Sequence, residues 1–220
     1  MNVLVTGATG HLGRSVVHAL ASAGHRVTAA SRSGAPPAAP FGAAPAPAGL
    51  VAPLAADLGD DAGVAALAAA LAGVDAVAHL GAWHPPATAA TTPDDRARLL
   101  AVNALGTMRL LEAVKRAGAK AAVVYASTFE VYGAPAADPV DEGHPTRPLS
   151  DYGVTKLAGE DHLVSFAQED RVRYVALRLP AVYGPGEQTP RALPLFLRAV
   201  AAGEAPTIYG DGADERDLLY

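Results

Sequence analysis

The chain has no cysteine, and that absence excludes a disulfide framework, a thiolate nucleophile and a thiolate metal site together. Lysine is scarce as well: only three of the 17 basic residues are Lys, and there is one Ile and one Trp. The basic residues do not cluster and the formal net charge is −5, so a nucleic-acid face, which needs a basic patch, is not expected. No apolar run approaches the ~18 residues of a membrane span, because the longest ones are Ala-rich and interrupted. The first strand begins almost at Met1, with no room for the charged and apolar regions of a signal peptide. A soluble cytoplasmic protein is therefore the expectation. Half of the 220 residues are hydrophobic and 18% are charged, enough for one sizeable domain or a domain plus a small appendage.

What is present is an alternation of apolar runs and helical patterns. Asn2–Thr6 reads as a buried strand that ends at glycines, and a helix follows from His11 with Leu12, Val16, Leu20 and Ala23 on one side. Val27–Ala30, Leu50–Ala55, Ala76–Leu80, Ala121–Ala126 and Tyr174–Leu179 read as further buried strands. Segments 62–72, 95–117 and 151–168 between them are helical, and a helix near Leu195–Ala202 and a strand at Thr207–Tyr209 close the series. Residues 34–49 are almost wholly Ala, Pro and Gly, so they form a surface loop. Alternating strands and helices imply α/β architecture, a doubly wound parallel sheet with helices on both faces. Beyond Pro180 the pattern loosens, which divides the chain into 1–180 and a smaller 181–220 portion.

Two motifs carry chemistry. Gly7-x-x-Gly10-x-x-Gly13 lies between the first strand and helix, and Tyr152-x-x-x-Lys156 opens a later helix behind a plausible Ser150 cap. Chance alone supplies about 0.2 and about 0.1 such patterns in this composition, so it is their context that makes them informative. Gly7 permits a tight turn, Gly10 lets backbone approach a pyrophosphate, and Gly13 lets the helix close on the strand. The helix N-terminus then offers N–H donors to phosphates. After the second strand comes Ala30-Ser31-Arg32-Ser33, with no carboxylate to take a ribose 2′-hydroxyl. Arg32 with the Ser31 or Ser33 hydroxyl suits a 2′-phosphate, which favours NADP over NAD. Asp57-Leu58 reads equally as an adenine contact or a helix cap.

Tyr152 and Lys156 share a helical stripe with Gly159, Leu163 and Phe166. A neighbouring ammonium favours the phenolate, so Tyr152 could exchange the proton of a substrate hydroxyl while hydride moves to or from the cofactor. Lys156 would also hold the nicotinamide ribose. Ser127 and Thr128, at the end of a strand, offer a hydroxyl to bridge substrate and Tyr152. Asn103 falls among core residues of the 95–117 stripe and must find partners there.

Gly7–Gly13, Asp57-Leu58, His79–Ala82, Asn103–Thr107, Ala126–Gly133, Tyr152–Lys156, Val182–Gly186 and Gly210-Asp211-Gly212 with Arg216-Asp217 follow one another in order and spacing. Together they resemble the extended short-chain dehydrogenase/reductase superfamily, and within it the NAD-dependent epimerase/dehydratase family. The resemblance implies a Rossmann fold and a Thr128/Tyr152/Lys156 catalytic triad, Thr128 rather than Ser127 by register on Val131-Tyr132-Gly133. It adds Thr9, His11, Leu12, Leu80, Ala82, Asn103 and Val182 to the cofactor contacts, and Arg216 to the substrate contacts. It also suggests a homodimer through the 95–117 and 151–168 helices.

Three departures matter. Phe129-Glu130 replaces the Asp-Glu of the sugar dehydratases, which argues against dehydration, while Glu130 alone resembles the nucleotide-sugar decarboxylases. Ala181 stands where nucleotide-sugar enzymes usually carry Asn. Trp83-His84-Pro85-Pro86 is bulky where the family is often small, so Trp83 and His84 either shape a substrate pocket or simply pack. Family members also continue past the Arg-Asp-x-x-Tyr segment, so the substrate-binding portion is expected to be incomplete and turnover poor. The expected activity is NAD(P)-dependent hydride transfer at a carbinol carbon of a sugar-nucleotide-like small molecule. The alternatives are reduction of a small ketone or aldehyde, and a dinucleotide-binding module without turnover.

Overall fold

The structure is a computed structural model that describes the chain except residues 86–90, 119–120, 171–172, 188 and 214. Pro86 of the bulky loop therefore lies outside the described residues. Six strands form one sheet: β1 (Asn2–Thr6), β2 (Arg26–Ser31), β3 (Val51–Ala55), β4 (Ala76–His79), β5 (Ala122–Thr128) and β6 (Tyr174–Leu179). Their order is β3-β2-β1-β4-β5-β6 and every pairing is parallel, the doubly wound arrangement. The strand order reverses between β1 and β4, where crevices for ligands open at the carboxyl ends of strands.

The helices are α1 (His11–Ser22), α2 (Asp61–Ala70), α3 (Pro93–Leu99), α4 (Gly106–Arg116), α5 (Asp151–Asp170) and α6 (Ala192–Ala201). Leu4, Val77, Leu110, Val114, Tyr125 and Leu163 belong to one core, and Val3, Val5, Val17, Val27 and Ala29 belong to another. Two strands expected to be buried are sheet edges instead. β3 is half exposed and carries Pro53, which cannot donate to a ladder, and β6 leaves Val175 and Leu177 exposed. On α1 the buried stripe is Gly13, Val17 and Ala21, with Leu12, Val16 and Leu20 on its flank. The small Gly13 sets that rotation, since a Cβ there would fall 2.0 Å from the Gly7 oxygen.

The expected 95–117 helix runs from Pro93 to Arg116 but changes winding midway. Leu100–Leu105 is a π-helical segment in which the Gly106 N–H reaches back five residues to the Ala101 oxygen. Such single π turns favour functional positions. Residues 207–209 are not a strand: Tyr209 is 90% exposed, and no ladder partner bonds them among the described residues. Instead β7 (Ala181–Val182) pairs in parallel with β8 (Leu218–Leu219). The loop after β7 reaches α1, where Arg14 donates to the Pro185 oxygen at 2.9 Å. Among the described residues no helix is long and apolar enough to cross a membrane.

Candidate active site

A cavity of about 210 Å³ opens at the ends of β1, β2 and β4. Of the residues named from sequence, Gly7, Thr9, Gly10, Ser31, Arg32, Asp57, Leu58, Leu80 and Ala82 line it, with Trp83 at its wall. Gly7 sits at φ +69° with no space for a side chain, since a Cβ would lie 2.7 Å from the Gly81 nitrogen. Gly10 caps α1 with no side-chain hydrogen bond, which leaves the first N–H groups of the helix for an anionic group. Ser31 in this cavity wall is 5% exposed, and its hydroxyl has no hydrogen-bond partner among the described residues. An orphaned buried hydroxyl in a wall that Arg32 also lines fits a polar group delivered by a ligand.

Asp57 does not cap α2. Asp60 does, accepting the Gly63 N–H at 2.6 Å, while Asp57 in the cavity wall accepts the Gly59 N–H at 2.9 Å. Gly13 is closed behind the turn, and His11 starts α1 beside the loop after β7; burial lowers its pKa. Arg98 of α3 also lines the cavity, its guanidinium 5.1 Å from the Trp83 ring centroid. Sequence gave no sign of Arg98, because only the fold brings α3 over this crevice.

Asn103 joins the cavity to the second half of the site. Its Oδ1 accepts the Trp83 N–H at 2.8 Å, and its Nδ2 donates to the Trp83 oxygen at 2.9 Å and to Thr155 Oγ1 at 3.2 Å. Thr155 in turn donates to the Tyr152 oxygen at 2.9 Å. Beneath lies a one-way chain. Thr107 Oγ1 donates to the Asn103 oxygen at 2.6 Å, so its lone pair must accept from His79 Nε2–H at 2.9 Å. His79 Nδ1 is then bare and accepts from Thr6 Oγ1 at 2.7 Å, while Thr6 accepts the Gly81 N–H at 3.1 Å. That assignment makes His79 neutral. Burial, and secondarily the charge of Lys156, lower its pKa to about 3.

At the far side α5 presents Tyr152 and Lys156 one turn apart. Ser150 fixes the entry to α5, its Oγ accepting the Gly153 N–H at 2.9 Å and donating to Glu130 Oε2. The His84 ring packs on Tyr152 with centroids 4.8 Å apart. The two strand-end hydroxyls differ: Ser127 donates to Glu160, whereas Thr128 accepts the Glu130 N–H at 3.3 Å. Val182 lies in β7, and Arg216 is exposed just before β8.

The electrostatics correct one expectation. Tyr152 is not acidified by its surroundings: burial first, and Glu130 second, push its pKa up to about 12, against a lowering pull from Arg191. Burial pulls Lys156 down to about 7, while Glu160 opposes the shift. A phenolate therefore needs positive charge beyond what this chain supplies.

Fold and site together are those of a dinucleotide-binding Rossmann protein whose α5 carries a Tyr/Lys pair; neither residue lines the cavity, and Asn103 joins their helix to its wall. Residues 3–220 match the NAD dependent epimerase/dehydratase family, and the chain belongs to that family. It is similar to the UDP-glucose 4-epimerase of Mycolicibacterium smegmatis, 37% identical over 123 residues that cover 54% of this chain and 39% of that protein. The UDP-glucuronic acid 4-epimerase of Bacillus cereus, solved with UDP-glucuronic acid and NAD, superposes with a TM-score of 0.81. It is 29% identical, over 100% of this chain and 69% of that one. A short-chain dehydrogenase/reductase superfamily protein of Agrobacterium tumefaciens with bound NAD gives 0.67 at 38% identity, over 83% and 50%. The matched segment thus spans less than half of the M. smegmatis relative.

Proposed function

We propose that this chain carries the hydride-transfer half of an NAD(P)-dependent epimerase or oxidoreductase acting at a carbinol carbon of a sugar-nucleotide-like substrate. The observation that carries the reading is the Asn103 bridge, which ties the cavity wall at Trp83 to Thr155, between Tyr152 and Lys156. Residues 1–180 supply the cofactor site, and 181–220 begin the substrate side.

The dinucleotide, when bound, supplies the hydride acceptor and a positive ring beside Tyr152. Gly7, Thr9, Gly10 and the N-terminus of α1 hold its pyrophosphate, Asp57 and Leu58 its adenine, Leu80 and Ala82 the intervening wall, and Lys156 and Val182 the nicotinamide end. Tyr152 Oη takes the proton of the substrate hydroxyl, and Thr128 Oγ1 holds the same oxygen in line. Lys156 steadies the phenolate. Trp83, His84, Glu130 and Arg216 face the substrate. Ser31 and Arg32, with no carboxylate between them, favour NADP over NAD. Exposed Leu100, Leu105, Val154 and Val164 support a homodimer through the 93–116 helix and α5, which light scattering tests.

A second reading, reduction of a small ketone or aldehyde by NADPH, is favoured by Ala181, whose methyl offers no hydrogen bond to a substrate diphosphate. Incubation with UDP-sugars, and separately with simple carbonyl compounds plus NADPH, separates the two. Isomerised sugar without net NADPH loss supports the first, net NADPH consumption supports the second, and neither product contradicts both.

A further inference from the structure

Lys156 is one of three lysines and is 1% exposed. Among the described residues no carboxylate lies within ion-pair distance of it. Glu160, the nearest candidate one turn along α5, is held by Arg178, with Nη2 to Oε2 at 2.8 Å, and by the Ser127 hydroxyl. The ammonium instead sits 3.9 Å from the centroid of the Tyr125 ring.

That ring is fixed from several directions. Tyr125 is 0% exposed on β5, and its hydroxyl donates to the Lys156 oxygen at 3.3 Å. Gly159 packs directly over it, since a Cβ there would fall 2.2 Å from the Tyr125 hydroxyl oxygen. The His79 ring lies against it with centroids 5.4 Å apart. An aromatic face attracts a cation most strongly where water is excluded. We propose that Tyr125 is a positioning residue for Lys156, its ring face keeping the buried side chain in the ammonium form and in place beside Tyr152. This rests on the function proposed above.

Among the described residues the charged or titratable groups packed around Lys156 are Glu160 on its own helix, His79 from β4 and Tyr125 from β5. Tyr152 lies one turn back on the same helix, with Glu130 and Arg191 acting on it. His79 is neutral and burial holds the Tyr125 phenol above its usual range, so neither competes as a charge. Burial brings Lys156 to about 7, so any attraction the ring adds decides how much ammonium exists at ordinary pH.

Lysine-selective isotope labelling and NMR titration of the full chain read the Lys156 midpoint, because only Lys115 and Lys120 add side-chain signals and Lys156→Met assigns the third. Tyr125→Phe, which keeps the ring face, should leave the midpoint within about 0.2 pH unit, and Tyr125→Leu should lower it by roughly 0.5–1 unit. Progressive fluorination of a phenylalanine at position 125 removes the attraction without changing shape and covers any folding loss in the Leu variant. It should lower the midpoint stepwise. A midpoint that is unchanged or raised by Leu, or flat across the fluorinated series, overturns the proposal. The readout does not need turnover, so it fails separately from the functional reading, which Tyr152→Phe tests.

Discussion

Ser127 donates its hydroxyl hydrogen to Glu160 at the end of β5, and Glu160 is in turn clasped by Arg178 at 2.8 Å. That hydroxyl is already committed to the carboxylate. Thr128, one residue on and therefore on the other face of the strand, accepts an N–H from Glu130 at 3.3 Å and donates to no partner among the described residues. On the proposed function its hydroxyl hydrogen is the one offered to substrate. Thr128→Val should cost turnover about 10²-fold. Ser127→Ala should leave kcat within a few-fold and instead lower the melting temperature by several degrees, having removed a buried partner of a carboxylate. Steady-state kinetics and calorimetry on the two variants check the division.

Tyr152→Phe keeps the ring that packs on His84 and removes only the proton carrier. Turnover should fall by about 10²- to 10⁴-fold while the dissociation constant for cofactor stays within a few-fold.

Glu130 stands beside Tyr152 and is the second cause of its raised pKa. Removing a negative charge favours a phenolate, so Glu130→Gln should lower the Tyr152 midpoint by roughly 0.5–1 unit. Ultraviolet difference titration against the matching Tyr152→Phe background isolates this group from the other six tyrosines.

His79 makes acid stability predictable. Its pKa is lowered from 6.5 to about 3 in the folded chain. The unfolded chain therefore binds the proton first, and the stabilisation is fully present above 6.5 and lost progressively as pH falls toward about 3. By pH ~5 the loss from this one group is about 2 kcal/mol. His79→Gln should be less stable at neutral pH, yet its melting temperature should fall less steeply between pH ~7 and ~5.

Ser31 and Arg32 set the choice of dinucleotide on this account. Arg32→Ala should weaken NADP by about 10- to 100-fold and NAD by no more than a few-fold, as loss of a charge-assisted contact requires. Ser31→Asp should reverse the preference. Calorimetric titration with both dinucleotides measures it.

Much of this architecture was legible because its signals are local. The glycine spacing, the Tyr152/Lys156/Gly159/Leu163 stripe and the alternation of strand and helix each depend on neighbours within a turn or two. What escaped the sequence was set by distant packing. Nothing around Leu100–Leu105 departs from ordinary helical spacing, and the π turn shows only in which carbonyl each N–H reaches. Asn103 in a core stripe was the one hint. Glu160 and Arg178 lie 18 residues apart on α5 and β6, so their pairing waits on that helix folding back against that strand. Residues 207–209 have strand-like composition but no ladder beside them among the described residues, and composition cannot supply a partner. The expected acidification of Tyr152 rested on spacing to Lys156, which gave no measure of how deeply both would be buried.

Trp83, the single tryptophan, forms part of the cavity wall and so reports directly on whether a dinucleotide enters it. Titrating reduced NADP or NAD while exciting Trp83 should quench its emission and sensitise nicotinamide fluorescence in a saturable way, with NADPH acting at lower concentration. Trp83 emission that stays unchanged up to millimolar amounts of both dinucleotides would contradict the assignment of this cavity to the cofactor, and with it the hydride-transfer function.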